Sequence, residues 1–183
     1  GKTLGTMNDN DLVLTNTGIG QTVNIKAEGT GKVYYFWEIE GISSTGEYRE
    51  EDNYLRVRKT FLTRSGQPVS GRSFKQNDLI VVRLSVASSN GEKVENVVVT
   101  DLLPAGFEIE NPRIGAVPEL GWIKDNASPD YFDIRDDRIN YFTTVEGKER
   151  HFYYLVRAVT RGSFRMGPVS ADAMYNADYH SAN

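Results

Sequence analysis

Short apolar segments that alternate with polar residues and end at turn-forming residues most constrain the fold of this chain. In the segment YLRVRKTF, residues 54–61, Leu55 and Val57 face one way while Arg56 and Arg58 face the other. A period of two residues is typical of a β-strand with one buried face. Roughly ten such segments follow one another at a spacing near ten residues, and none has a convincing helical pattern. We therefore predict an all-β antiparallel sandwich with little helix.

Two long apolar segments predict the strands that fill the core. The segment DLIVVRLSVA is followed by the turn SSNGEK and then by VENVVVTDLL. A run, a short turn and a second run are typical of a β-hairpin. We expect the inward-facing side chains of both strands to pack between two sheets. These side chains are Leu79 or Ile80, Val82, Leu84 and Val86 from the first strand, and Val97 and Val99 from the second.

The polar segment SSTGEYREEDN has no periodicity and divides the chain in two. It predicts a linker over residues 46–53 and a C-terminal domain over residues 54–183. Residues 1–45 contain predicted strands but are too few to hold a core alone. They either pair with the main domain or form the end of a preceding sandwich. The start, GKTLGTMNDND, lacks the apolar core of a signal peptide and begins with Gly, which indicates a piece of a longer protein.

Composition excludes several functional classes. The 183 residues include no cysteine, which rules out a disulfide scaffold, a thiol nucleophile and a thiolate metal site. The net charge is −4 and Lys and Arg are scattered, whereas a nucleic-acid-binding protein needs a basic face. No apolar run approaches the roughly 20 residues that span a bilayer, so we expect no membrane insertion by this chain.

No group of residues predicts catalysis. His151 and His180 are far apart in the sequence, and neither has a second ligand at the spacing of a metal site. No serine lies in a G-x-S-x-G turn, which is where a serine hydrolase of the α/β type holds its nucleophile. We therefore expect neither enzyme activity nor a cofactor in this chain.

The densest polar cluster is DIRDDR, residues 133–138. Its carboxylates are oxygen ligands of the kind that Ca²⁺ prefers. Arg135 and Arg138, interleaved with them, oppose a cation and match carboxylates in ion pairs. We expect a local cluster of ion pairs and turns without a metal.

A sharp bend is predicted at Pro104-Ala105-Gly106, inside the segment VTDLLPAGFEIENP of residues 99–112. Pro fixes its own φ and removes a donor, and Gly permits a reversal of the chain. Phe107 and Ile109 then restart a buried face. We expect Pro104 and Gly106 to be architectural, and Gly106→Val to be destabilising if Gly106 has a positive φ.

Several motifs in order resemble one known family. NYLRVRKTFLTRSGQPVSG and QNDLIVVRLSV come before the bend, and DIRDDRINYF and YYLVRAVTRGSFRMGPVSADAMY come after it. From about Asn53 to Tyr175, this set resembles the C-terminal macroglobulin-like domain of bacterial alpha-2-macroglobulins, the domain that follows the thioester domain. The resemblance implies an immunoglobulin-like, macroglobulin-type sandwich.

The resemblance also implies a non-catalytic part of a bacterial protease-trapping protein. Such proteins are exported to the periplasm or the cell surface, where a lipid anchor can hold them. In them, a thioester between a Cys and a Gln acylates a protease that has cut the bait region. The expected partners are the thioester domain of the same full-length chain and, through the full-length protein, trapped proteases. The alternative is a structural or adhesive immunoglobulin-like module of a bacterial surface protein, which shares V-x-D-x-LP-x-G but lacks the RAVT…ADAMY ending.

The apolar pair Met174 and Tyr175 lies in a small and polar C-terminal segment, SADAMYNADYHSAN. By resemblance, Ala173-Met174-Tyr175 matches a segment that screens the thioester from water. A polarizable Met and a broad Tyr ring cover such a bond without adding a nucleophile. The alternative is a tail that folds back into its own core. A shield leaves Met174 and Tyr175 exposed, whereas core filling buries them.

Overall fold

The computed structural model describes residues 6, 24–36, 48–110 and 118–183. The chain divides into two units, Gly1–Gly41 and Ile42–Asn183. In the first unit, the described residues 24–36 contain no strand. The parts of the predicted strands that fall on residues 7–23 and 37–45 lie outside the described residues.

The second unit is a sandwich of two antiparallel sheets. The six-stranded sheet has the order β1-β10-β9-β4-β7-β6, and the four-stranded sheet has the order β2-β3-β8-β5. The one helical element of the described residues is a 3-10 turn, Pro118–Leu120, so the prediction of an all-β fold with little helix is confirmed. The strands are β1 (Glu51–Asn53), β2 (Leu55–Leu62), β3 (Leu79–Ser88), β4 (Val94–Leu102), β5 (Phe107–Ile109), β6 (Tyr131–Ile134), β7 (Arg138–Val145), β8 (Arg150–Ala158), β9 (Val169–Ala173) and β10 (His180–Ala182).

The predicted core strands lie at the centre of the two sheets. β3 pairs with β2 and β8, and β4 pairs with β7 and β9. Of the two residues left open at the start of β3, Ile80 is in the core between the sheets and Leu79 packs on the other face. The prediction is confirmed for the remaining core residues, which are Val82, Leu84, Val86, Val97 and Val99.

The outer face of the four-stranded sheet is also covered. Val81, Tyr153 and Leu155 are buried there against Leu120 of the 3-10 turn. The Trp122 indole packs edge-on against the Tyr153 ring. Strands buried on both faces read as nearly continuous apolar runs, which explains the sequence IVVRLSVA in β3.

The predicted linker of residues 46–53 is wrong at its end, because residues 51–53 form β1 and pair with β10. A short edge strand made of Glu, Asp and Asn has no apolar signature. Its place depends on backbone pairing and on Asp52, which accepts hydrogen bonds from Ser181 Oγ at 2.6 Å and from Arg58. Among the described residues, no helix is long and apolar enough to cross a membrane.

Candidate functional site: the exposed β9–β10 turn

The C-terminal segment is a β-hairpin and not a loose tail. Residues 174–179 connect β9 to β10, and β10 lies inside the six-stranded sheet between β1 and β9. The turn is closed by its own hydrogen bonds. The Ala173 amide donates to the Tyr179 carbonyl at 2.9 Å, and the Tyr179 amide donates to the Asn176 carbonyl at 3.0 Å. These bonds give the turn a defined shape.

Met174 and Tyr175 lie side by side on this turn and face solvent. Their exposed fractions are 55% and 83%, whereas the preceding residue, Ala173, is buried in the core. The Met174 amide donates to the Asn96 carbonyl of β4 at 3.0 Å, which ties the start of the turn to the sandwich. This exposure argues against the hypothesis that the pair fills a gap in its own domain.

Tyr179, at the end of the turn, connects it to the β3–β4 turn. Its hydroxyl donates to Glu92 Oε2 at 2.5 Å and accepts a hydrogen bond from Asn90 Nδ2 at 2.9 Å. The bond to Glu92 raises the pKa of the Tyr179 phenol, because the proton is held between the two oxygens. Two turns that are far apart in sequence are therefore joined through one phenol.

The bend at Pro104 differs from the β9–β10 turn, because most of its residues are buried. The Phe107 amide donates to the Pro104 carbonyl at 2.9 Å, and Pro104, Gly106 and Phe107 are all buried. Gly106 does not have a φ in the left-handed region, so the positive-φ rationale for this glycine is wrong. A Cβ at Gly106 would lie 2.5 Å from Phe164 Cε2 and 2.7 Å from its Cδ2. Gly106 is therefore needed for the close approach of the Phe164 ring.

A buried ion pair links the two sheets just before this bend. Lys59 Nζ of β2 lies 2.6 Å from Asp101 Oδ1 of β4, and the Tyr154 hydroxyl of β8 donates to Asp101 Oδ2 at 2.5 Å. Asp101 is fully buried, and burial raises its pKa despite these two partners. Burial also raises the pKa of Tyr154 well above its usual value. The Asp101 carboxylate of the six-stranded sheet pairs with two groups of the four-stranded sheet, so its role is structural.

The Lys59–Asp101 pair was not among the predicted features, although strand alternation carries a signal for it. Asp101 has the same parity as Val97 and Val99, and Lys59 has the same parity as Leu55 and Val57. Both charges are therefore predicted to face inward. Two inward charges of opposite sign on different strands are expected to pair when buried.

The two histidines have local partners. His151 Nδ1 lies 2.9 Å from Ser85 Oγ, and His180 Nδ1 lies 2.9 Å from the Ala177 carbonyl. His151 Nε2 is also 3.5 Å from Asp125 Oδ2, so a Ser, a His and an Asp do meet. Ser85 is 6% exposed in the middle of β3, where no substrate carbonyl can reach its hydroxyl. This arrangement does not form an active site.

The polar cluster of residues 133–138 spans the end of β6, the turn and the first residue of β7. Arg135 Nε lies 2.8 Å from Asp133 Oδ2, and Arg138 Nη2 lies 2.7 Å from Asp137 Oδ2. Across the part of the chain that the structure describes, no three His, Cys, Asp or Glu side chains converge as metal ligands. Asp133 and Asp137 are thus held in ion pairs, and the indifference of the cluster to calcium stays a prediction.

Comparison with known proteins agrees with this fold. The family model described as "Bacterial Alpha-2-macroglobulin MG10 domain" matches residues 55–178. An alpha-2-macroglobulin of Xylella fastidiosa (strain Temecula1) is 30% identical over 168 residues, which cover 86% of this chain and 10% of the relative. That of Escherichia coli K12 is 32% identical over 136 residues, covering 68% of this chain and 8% of the relative.

Two solved structures of bacterial alpha-2-macroglobulins superpose on the sandwich. A crystal structure of the Salmonella protein reacted with methylamine gives a TM-score of 0.67 at 29% identity, covering 74% of this chain and 9% of that chain. Native Escherichia coli alpha-2-macroglobulin from domain MG7 to the C-terminus gives 0.67 at 26% identity, covering 74% of this chain and 23% of that chain.

The two-sheet architecture and these neighbours define an immunoglobulin-like β-sandwich of the macroglobulin type. The chain belongs to the family of bacterial alpha-2-macroglobulin MG10 domains. The match extends through residue 178 and so includes the ADAMY segment, which does not favour the surface-repeat alternative. The chain spans about a tenth of the length of the Xylella relative.

Proposed function

We propose that this chain is a non-catalytic domain of a bacterial alpha-2-macroglobulin-like protease-trapping protein, and that Met174 and Tyr175 pack on the thioester domain of the same full-length chain. There they shield the thioester from water. The observation that carries this proposal is the exposure of Met174 and Tyr175 on an ordered turn, in a chain of this family. The parent protein is exported to the periplasm or the cell surface, where a lipid anchor can hold it.

The chemistry of a thioester explains why such a shield is useful. Water and small amines attack its carbonyl carbon and release a thiolate, so the bond persists only where nucleophiles are excluded. Met174 and Tyr175 bring a thioether and an aromatic ring, which cover apolar area without offering a competing nucleophile. The turn that carries them is already closed by hydrogen bonds, so little ordering entropy is lost when it docks.

The test uses the full-length parent, provided that it carries a thioester Cys–x–x–Gln segment. Met174→Ala combined with Tyr175→Ala should speed the loss of the thioester to methylamine several-fold, measured as release of free thiol. Tyr131→Ala with Phe132→Ala is the matched control, because it removes an exposed apolar pair from edge strand β6. Equal thiol release by the parent and the Met174/Tyr175 variant would refute shielding.

A second test addresses the non-catalytic role. The 183-residue chain alone should hydrolyse no peptide and should inhibit no protease, because capture requires the bait and thioester parts of the parent. Assays with the chain in molar excess over a serine protease and a metalloprotease are sufficient. Inhibition by this chain alone would contradict the proposal.

A further inference from the structure

We infer that Tyr179 is a positioning residue for the exposed turn, and that its hydrogen bond to Glu92 holds Met174 and Tyr175 in the geometry that docks. This inference rests on the proposed function and names the residues that orient the shield.

The first observation is that the turn is held at both ends. At its start, the Met174 amide donates to the Asn96 carbonyl at 3.0 Å. At its end, the Tyr179 hydroxyl bonds to Glu92 and Asn90 of the β3–β4 turn. Met174 and Tyr175 lie between these two ties, so their direction depends on both.

The second observation is that the Tyr179 ring is packed on two sides. It is half-buried against the core, and its centroid lies 5.2 Å from that of the Tyr54 ring, with a tilt of 35°. The ring therefore anchors the turn to the sandwich, while the hydroxyl sets its orientation toward the β3–β4 turn. An aromatic pair with centroids 4.5–7 Å apart is stabilising beyond its buried area.

The third observation is backbone strain next to this turn. Among the described residues, Tyr54, Asn77 and Asn96 are the non-glycine residues with positive φ. Tyr54, at φ 54°, packs its ring at a tilt against Tyr179, and Asn96, at φ 54°, accepts the hydrogen bond from the Met174 amide. A bulky residue in the left-handed region is costly and persists only where its surroundings hold it. Two of the three non-glycine residues with positive φ therefore contact the same turn, and Tyr54 is the one for which this conformation is costly.

Strain and hydrogen bonds at this place fit a contact surface that is prepared before docking. A turn whose side chains only covered its own domain would need no fixed direction for two exposed side chains. Fixing a contact residue in its bound conformation reduces the entropy lost on association. Tyr179 is the one residue of the turn that combines a ring against the core with a hydroxyl bonded to a second turn.

The experiment measures hydrogen exchange of the backbone amides of residues 174–179 in this chain. Tyr179→Phe and Glu92→Ala each remove the hydroxyl–carboxylate bond and should speed exchange about three- to tenfold. Glu92→Gln should retain nearly wild-type exchange, because its amide oxygen still accepts the bond. Tyr131→Phe is the matched control, since it removes an exposed tyrosine hydroxyl from β6. Unchanged exchange in both Tyr179→Phe and Glu92→Ala would overturn the inference.

The same variants in the full-length parent separate this inference from the proposed function. Tyr179→Phe should speed thioester loss to methylamine, but less than Met174→Ala with Tyr175→Ala does. If the double variant speeds the loss and Tyr179→Phe does not, the positioning role fails while shielding stands. If Tyr179→Phe speeds amide exchange but neither variant changes thioester loss, shielding fails, and with it the docking role of the positioned turn.

Discussion

The bend at residues 104–107 and the turn at residues 174–179 are both closed by backbone hydrogen bonds, yet they use their side chains in opposite ways. At the bend, Pro104 and Phe107 are buried and Gly106 makes room for an aromatic ring. At the turn, Met174 and Tyr175 face solvent. The bend buries its apolar surface inside the sandwich, whereas the turn leaves apolar surface exposed, which the proposed contact with the thioester domain would cover.

The difference separates the part of the sandwich that is buried from the part that is ordered but exposed. Burial at the bend is completed by the domain itself, and the ion pair of Lys59 with Asp101 lies directly before it. The turn is ordered by hydrogen bonds and by Tyr179, and Met174 and Tyr175 stay exposed. Substitutions at the bend should therefore change the free energy of unfolding, and substitutions at the turn should change reactivity in the parent.

The largest change in the free energy of unfolding is expected for Lys59→Met, whose partner Asp101 lies just before the bend. It leaves the carboxylate of Asp101 buried without its cation and should lower the free energy of unfolding by about 3–5 kcal/mol near neutral pH. Without Lys59, the folded-state pKa of Asp101 rises further above its unfolded value. The destabilisation that comes from ionised Asp101 is absent below the pKa that Asp101 has in the unfolded chain, and it grows as pH rises toward the folded-state pKa. The stability lost in Lys59→Met should therefore be smaller in acid than at neutral pH.

Urea denaturation of wild type and Lys59→Met, near neutral pH and near pH 5, measures the loss in the free energy of unfolding and how that loss changes with pH. Lys93→Met is the control, because Lys93 forms an exposed pair with Glu95 and its loss should change stability little. A Lys59→Met variant as stable as wild type at neutral pH would show that the buried pair does not hold the sheets together.

Gly106→Val should be next, with a loss of about 1–3 kcal/mol from overpacking against the Phe164 ring. Because the cause is a close approach and not a positive φ, the loss should be smaller when Phe164 is already replaced by Ala. A double-mutant cycle over Gly106→Val and Phe164→Ala measures the coupling. Strictly additive losses would indicate another cause at Gly106.

Asp52 of β1, next to the hairpin that carries the turn, should make the protein less stable in acid, whereas acid should reduce the loss caused by Lys59→Met. Hydrogen bonds from Arg58 lower the pKa of Asp52 most, and the bond from Ser181 lowers it further. A lowered folded-state pKa contributes stability above the unfolded value that is lost as pH falls through the folded value. Since Asp52 is partly exposed, we expect about 1 kcal/mol or less.

Thermal or urea unfolding between about pH 3 and pH 6 should show this loss in wild type and a weaker pH dependence in Asp52→Asn. Asp136→Asn, in the exposed β6–β7 turn, is the matched control and should keep the wild-type profile. Identical profiles for wild type and Asp52→Asn would mean that these hydrogen bonds do not stabilise β1.

At the exposed turn itself, Met174→Ala with Tyr175→Ala should change the free energy of unfolding of this chain by no more than about 0.5 kcal/mol. Neither side chain fills the core, so no cavity is formed. Urea denaturation alongside the Gly106 variants makes the comparison between turn and bend direct. A loss of about 2 kcal/mol or more would return the pair to a structural role.

The smallest effect is expected from calcium. The turn at residues 133–138 adjoins the bend through a hydrogen bond from the Leu103 amide to the Asp137 carbonyl at 2.8 Å. Asp133 and Asp137 are paired with Arg135 and Arg138, so millimolar calcium should shift Tm by less than about 1 °C. A rise of several degrees would identify a cation site there.

Much of the sandwich could be predicted from periodicity alone. The alternation in β2 and the apolar runs of β3 and β4 predict both the strands and the core residues, because each inward side chain on these strands is apolar or paired. The short polar strands β1 and β10 escaped prediction. They are held by backbone pairing, which leaves no pattern in a segment such as EDN or HSA.

For the candidate site too, some features follow from the local sequence and others only from the tertiary structure. The local sequence determined that an apolar pair stands in a polar segment, and that a bend occurs at Pro104 and Gly106. Only the tertiary structure decided that Met174 and Tyr175 face outward. Their exposure depends on the pairing of β10 with β1, in which Ser181 bonds to Asp52, 129 residues earlier in the chain. The meetings of Gly106 with Phe164, of Lys59 with Asp101 and of Tyr179 with Glu92 were likewise decided there. Periodicity specifies which way a side chain faces, but the chain must close into a sandwich before that direction meets a partner.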